Sequence, residues 1–304
     1  AWDEDFGDLR TCTFWIPGNS ALNTYALRFK TSRAWTGALL HFYASTANAS
    51  GNYRIDNVSL RLNRTTTSAA TLCVDPLLPA SGGGADGTNA LVNASFAAPI
   101  GSANGNWGLF PGAGIIWEQT AGVFYYRRPA ALASAVVLQN TALPVGTGGR
   151  LEATFQLGNN TGSTQRVTIL LHASDFSDLT VCTFYVPNGA PLQTYTIRSY
   201  ATQAWGTASI SFYLSSTATG GYVSLDNASL RIRPGIALTG TECYPAGVTP
   251  ADVLPFEDVR IIPTLEATAT GLPYAAPGMT GELPIVATAA PLPETTTGEG
   301  TSSE

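Results

Sequence analysis

Within this 304-residue chain one stretch occurs twice. Cys12-Thr-Phe-Trp-Ile-Pro17 returns as Cys182-Thr-Phe-Tyr-Val-Pro187, Asp56-Asn-Val-Ser-Leu-Arg61 as Asp226-Asn-Ala-Ser-Leu-Arg231, and Cys73 as Cys243. The offset is 170 at each of these positions, and the copies align without a gap from Asp5/Asp175 to Cys73/Cys243. A repeat of that length is a domain rather than the short unit of a solenoid. Residues 88–170 precede the second copy, and nothing comparable precedes the first. The chain therefore reads as the C-terminal half of one domain (1–76), a linker with three consecutive glycines (77–88), a complete domain (89–247) and a Thr/Pro/Ala-rich tail (248–304). The only methionine is Met279 and the chain opens inside a repeat, so it reads as a fragment of a longer protein.

The periodicity inside the copies is that of strands. No window holds a helical period for three turns, whereas apolar/polar alternation is frequent, as in Arg150-Leu-Glu-Ala-Thr-Phe-Gln-Leu157. In the first copy strands are expected at 11–16, 24–29, 38–44 and 53–62. The complete domain should carry about ten, near 91–96, 114–118, 122–126, 134–139, 150–157, 165–172, 180–186, 194–200, 208–214 and 221–232, with turns between them. That pattern predicts an all-β sandwich or barrel. In 221–232 the inward set changes from odd (Val223, Leu225) to even (Ala228, Leu230), which predicts a β-bulge at Asp226-Asn227 and its equivalent, Asp56-Asn57. The tail loses all alternation and should be disordered, apart from a short extended piece at 259–262. Leu292-Pro-Glu-Thr-Thr lacks the glycine of a sortase signal and reads as low-complexity linker.

Four cysteines stand as one pair per copy at identical spacing, and the two histidines, His41 and His172, have no counterpart in the other copy. A metal site would bring its ligands closer together or add matched histidines. Disulfides Cys12–Cys73 and Cys182–Cys243 are the better reading, four buried thiols the alternative. Disulfides imply an extracellular or cell-surface location. A net charge of −6 with a single lysine gives no basic stripe for nucleic acid or anionic lipid, and no apolar run is long enough to cross a bilayer.

Leu91-Val-Asn-Ala-Ser-Phe96 at the start of the complete domain and Gly221-Tyr-Val-Ser-Leu-Asp-Asn-Ala-Ser-Leu-Arg231 at its end resemble bacterial carbohydrate-binding modules. Such modules open with a Leu-Val-Asn-Gly-Ser-Phe-Glu strand and close with an Asp-Asn-Val-Ser-Leu strand. The resemblance covers 89–234 and, in its second half, 5–64. It implies a jelly-roll β-sandwich, galactose-binding-domain-like, with first and last strands paired, and a polysaccharide or glycan partner. It also implies a structural calcium ion near Asp226, but Ala94 and Ala97 stand where the family has glycine and glutamate. A hard cation needs six or more oxygens, so no cofactor is expected with that carboxylate missing.

No nucleophile elbow, zinc-protease helix or phosphate loop is present. Asp175 and Asp178 (Asp5 and Asp8 in the first copy) have the closeness of paired carboxylates, yet they sit between two strands where aspartate caps turns. The chain is not expected to be an enzyme. Sugar binding needs aromatic faces and planar polar groups. Alternation places Tyr185, Arg198 and Tyr213 outward, matched by Trp15, Arg28 and Tyr43 in the first copy. Together with Trp117 they form the candidate carbohydrate platform. If consecutive strands alternate between sheets, Arg198 is parted from the tyrosines. Trp107, Tyr125 and Tyr126 belong to the same face or to an end loop, and Trp205, preceded by Ala204 as Trp35 is by Ala34, should pack in the core or at its rim. Two functions compete: a non-catalytic carbohydrate-binding repeat, and a structural or adhesive spacer of a cell-surface protein.

Overall fold

The computed structural model describes residues 1–44, 52–61, 69–102 and 106–250, and the backbone of 283–285. The longer strands within 89–247 alternate buried and less buried residues over much of their length, and β9 (Arg150–Asn159) shows the pattern best: Leu151, Ala153, Phe155 and Leu157 are fully buried while the residues between them are not. Burying both apolar faces requires two sheets. The first has the order β11-β10-β13-β8-β5, built from Leu179–Val186, Gln165–Ala173, Ala208–Leu214, Ala135–Asn140 and Gly108–Phe110. In the second, β12 (Ala190–Tyr200), β9, β14 (Val223–Ile232), β7 (Val123–Arg127) and β6 (Ile116–Thr120) run in that order. Consecutive strands β11, β12 and β13 thus alternate between the sheets. Between them Phe155 meets Phe212 edge-on at 5.0 Å, and Phe184 meets Tyr195 at 5.0 Å. The architecture is the all-β sandwich expected, with no helix among the described residues.

The bulge falls where the phase change placed it: the β14·β9 register slips between Asp226 and Ser229, and Asn227 adopts φ 46°. Its equivalent Asn57 has φ 52°. The opening segment is less regular than expected. No strand forms over 91–96; instead Asn93 and Phe96 turn with positive φ. Single backbone bonds still tie it to the last strand, from Gly87 N to Ile232 O, Ala90 N to Leu230 O and Ala228 N to Ala94 O. The Asn89 side chain makes the ladder continuous by accepting from Leu91 N and Leu230 N. The 77–88 stretch lies against the sandwich: Pro79 O accepts from Arg150 Nη2 at 2.7 Å, Ser81 Oγ donates to Pro234 O at 2.8 Å, and Asp86 pairs with Arg233 at 2.8 Å.

In the first copy β2 (Ala26–Arg28), β3 (Ala38–Phe42) and β4 (Thr71–Val74) form, joined by β1 (Trp2–Asp3). Residues 11–16 and 52–61 form no strand, and 62 lies outside the described residues. What forms repeats the second copy's register: Leu27 faces Cys73 as Ile197 faces Cys243, and Trp2 faces Leu39 as His172 faces Ser209. β4 pairs in turn with β15 (Glu242–Tyr244), so the second sheet runs on as β2-β4-β15-β12. In the tail, β16 (Leu283–Ile285) pairs with β3; the expected extended piece at 259–262 lies outside the described residues.

Candidate functional site

The outer face of the five-stranded sheet carries the candidate platform. One row of directly opposed residues crosses it: Phe110 on β5, Val136 on β8, Tyr213 on β13, Thr168 on β10 and Thr183 on β11. Phe110 is 63% exposed, Tyr213 is half-buried, and Val136 is buried between them in the row. Two inter-strand steps of about 4.8 Å put the Phe110 and Tyr213 backbones about 10 Å apart. Thr168 and Thr183 share a hydroxyl hydrogen bond at 3.1 Å. Two residues along β10, Arg166 faces Tyr185, and its Nε donates to Ser215 Oγ at 2.7 Å. Towards the other end His172 is buried, its Nε2 paired with Ser211 Oγ at 2.9 Å and its ring stacked on Phe176 at 4.0 Å. Burial holds the imidazole's pKa below its ordinary value.

The structure brings Tyr185 and Tyr213 onto this one face and leaves Arg198 off it. Arg198 stands on β12 in the opposite sheet, where its Nε donates to Glu152 at 2.9 Å and its guanidinium lies 6.0 Å from the Tyr244 ring centre. The physical reason is that β11, β12 and β13 alternate between sheets, so outward residues on successive strands point away from opposite faces. Tyr185 is also engaged: its hydroxyl accepts from Leu9 N at 2.6 Å, and the Arg10 guanidinium lies 5.0 Å from its ring centre. Burial, opposed by the Leu9 bond, raises the Tyr185 pKa, and burial raises that of Tyr213.

Trp117 sits on β6, the far edge of the eight-stranded sheet, 42% exposed and stacked on Phe124 at 5.8 Å. Trp107 and Tyr126 are core residues, whereas Tyr125 meets Tyr222 at 6.2 Å outside. In the first copy Trp15 Nε1 donates to Leu179 O at 3.3 Å, Arg28 lies on β2, and Tyr43 is exposed. Phe110 and Arg166 share the candidate face with Tyr213 and Tyr185 and were not singled out from the sequence. Phe110 closes a three-residue strand too short to show alternation. Arg166 alternates with Gln165 and Val167, both buried, and was open to the same test that selected Tyr185.

The two cysteine pairs are bridged: S–S is 1.97 Å for Cys12–Cys73 and 1.98 Å for Cys182–Cys243. Cys182 belongs to β11 and Cys243 to β15, so the second bridge joins one sheet to the other.

The aspartate pairs serve turns. Asp178 is 1% exposed, and its Oδ2 accepts from Trp205 Nε1 at 2.8 Å and from Thr202 N at 2.7 Å. Asp8 does the same for Trp35 Nε1 at 2.9 Å and Ser32 N at 2.6 Å. Asp175 is exposed and accepts from Ser177 N at 3.0 Å, and hydrogen bonding by the Ser177 side chain and amide lowers its pKa. Asp178 and Asp8 thus hold buried turns, each tying a tryptophan indole to a backbone amide.

At the bulge, Asp226 accepts from Asn227 N at 2.7 Å and from Asn227 Nδ2 at 3.0 Å, and burial raises its pKa. Asp226 is thus a single carboxylate whose two oxygens each accept from an N–H of Asn227. Among the described residues no group of three or more His, Cys, Asp or Glu gathers as metal ligands do, and no helix is long and apolar enough to cross a membrane.

No family model and no curated protein matches the chain. Several solved structures are similar at low identity. The CBM22-1 xylan-binding domain of Paenibacillus barcinonensis Xyn10C is 10% identical, covers 49% of this chain and 97% of its own, and has a TM-score of 0.36. A cyclase from Fischerella sp. TAU is 16% identical over 50% of this chain and all of its own, with a TM-score of 0.39. For the enzymatically active domain of bacteriophage CBA120 tailspike protein 4 the identity is 18%, the coverage 47% of this chain and 21% of that chain, and the TM-score 0.34.

Proposed function

We propose that the chain is a non-catalytic carbohydrate-binding repeat of an extracellular protein, and that it binds a polysaccharide or glycan on the outer face of the five-stranded sheet. The observation that supports this most is the row Phe110–Val136–Tyr213 with Arg166 beside it. Two aromatic side chains on the same face, two strands or about 10 Å apart along the row, offer stacking faces for apolar sugar faces of one oligosaccharide. Arg166 adds a planar set of five N–H donors, of which Nε and Nη1 are engaged with Ser215 and Phe6. Tyr185 extends the same face and is partly covered by the first copy. Trp117 belongs to another edge and Arg198 to the opposite face, so neither has a part in this surface. The two disulfides accord with an oxidising compartment.

A second reading is favoured by the Leu9 and Arg10 contacts to Tyr185: the repeat acts as a spacer whose aromatic face is used against its neighbour. Affinity electrophoresis of the whole chain in gels containing xylan, β-glucan, galactan and host-type glycans separates the two. Migration of the unsubstituted chain is expected to be retarded, and the retardation to be abolished by Phe110→Ala or Tyr213→Ala with unchanged thermal unfolding. No retention on any polysaccharide leaves the spacer as the better account.

A further inference from the structure

The contact between the two copies is reciprocal. Under the 170-residue offset, β4 is the equivalent of β15, and these equivalent strands pair with each other. Leu72 stands directly opposite Glu242, its own equivalent, so an approximate two-fold axis passes between them. On one side of it Cys73 N donates to Thr241 O at 2.8 Å; on the other Cys243 pairs with Thr71. A second, separate set of contacts obeys the same axis at the edge of the other sheet. Leu9 N bonds the side chain of Tyr185 at 2.6 Å, and Leu179 O bonds the side chain of Trp15 at 3.3 Å. Leu9 and Leu179 are equivalents, as are Trp15 and Tyr185. Where residue i meets j and j meets i, the interface is isologous.

We infer that this double edge, β11 in one sheet and β15 in the other, is a self-complementary docking surface whose partner is the same edge of another copy of the repeat. An unpaired edge strand invites indiscriminate pairing, and here each copy covers the other's. An isologous contact is closed, so copies associate in pairs and a third copy has no edge of this kind to join. The pairing is also selective. Two copies of the second repeat would set Glu242 against Glu242, and like charges directly opposite are destabilising; Leu72 removes that conflict. Gly240 fits the seam closely, since a Cβ there would lie 1.7 Å from Cys73 O.

The test is a cross-link at the axis. Flanking hydrogen-bonded pairs make 72 and 242 a non-hydrogen-bonded pair, with Cα atoms about 4.5 Å apart, inside the range a disulfide accepts. In the full chain, Leu72→Cys/Glu242→Cys is expected to oxidise in air and to join the 73- and 243-containing peptides to each other, whereas in the native protein they are bridged only to the peptides of Cys12 and Cys182. Ala70→Cys/Glu242→Cys, two residues out of register, should not link. Linking of the shifted pair as efficiently, or of neither, overturns the inference. Should the cysteine variants misfold, hydrogen exchange of the unsubstituted chain decides: slow exchange of the Cys73 and Asp75 amides is expected, and free exchange refutes the seam. Sedimentation should give a single-chain mass at every concentration; growth with concentration would refute closure.

Discussion

Asp178→Ala takes away a single oxygen on which four donors converge. Oδ2 accepts from Trp205 Nε1 at 2.8 Å, Thr202 N at 2.7 Å, Thr202 Oγ1 at 3.0 Å and Gln203 N at 3.4 Å. The Thr202 and Gln203 groups lie near the surface and can regain water, but the Trp205 indole is 2% exposed and cannot. A hydrogen bond to a charged acceptor contributes about 1.5–3 kcal/mol, and a buried donor left unpaired costs about 1–3 kcal/mol. Counting the indole fully and the Thr202 amide in part gives a loss of about 3–4 kcal/mol, or roughly 8–14 °C in Tm for a domain of this size. Asp178→Asn is the informative control. All four donors use one oxygen, so an amide oxygen in its place keeps the geometry and loses only the charge, for about 1 kcal/mol. Urea unfolding followed by tryptophan fluorescence, with calorimetry for Tm, measures both. An alanine variant within 1 kcal/mol of the native protein refutes the reasoning; an asparagine variant as damaged as alanine would mean that charge, not convergence, holds the turn.

Opening Cys182–Cys243 by the double alanine variant should lower stability by about 4 kcal/mol on the chain-entropy account, for a separation of 61 residues, read as a shift of the urea midpoint. His172 binds its proton less readily folded than unfolded, so its contribution is present above the unfolded value of about 6.5 and is lost as pH falls below it. The stability difference between native and His172→Gln protein should therefore shrink as pH falls from 7 towards 5, by denaturant titration at each pH; a constant difference counts against a neutral buried imidazole. Gly148 has φ +75°, and a Cβ there would lie 2.0 Å from Ala80 O. Gly148→Ala should push the 77–88 stretch off the sandwich and speed limited proteolysis within it, with little change in cleavage elsewhere.

Much of the fold was legible because its signals are local. Alternation places β9, β10 and β13 within a residue or two, and a phase change in side-chain pattern is enough to locate the bulge at Asp226-Asn227. The repeat offset carried the cysteine pairing, since two disulfides at one spacing are simpler than four thiols. The grouping of the candidate residues was legible only in half. Which face of a strand a residue takes is local information; which sheet the strand joins is not, and the platform of Tyr185, Arg198 and Tyr213 needed both. Arg198 is outward, as expected, but from the sheet opposite the one that carries Tyr185 and Tyr213. Phe110 is held by a ladder of three residues to β8, a long-range pairing that leaves no periodic trace. In the first copy, alternation over 11–16 and 53–61 did not suffice to make strands, since a strand needs a partner as well as a pattern.

The bridge between β11 and β15 has a mechanical consequence. If the ends of the chain are pulled apart, force travels through the Cys182–Cys243 bond and bypasses the residues it encloses. That loop spans 61 residues, and at about 3.4 Å per residue it withholds roughly 200 Å of contour from extension. β12, β13 and β14 all lie inside it, so three strands of the sandwich remain tethered in a short ring even after the strands outside it have been stripped away. Reduction of one covalent bond would release that slack at once, making the length of the stretched chain a readout of its redox state.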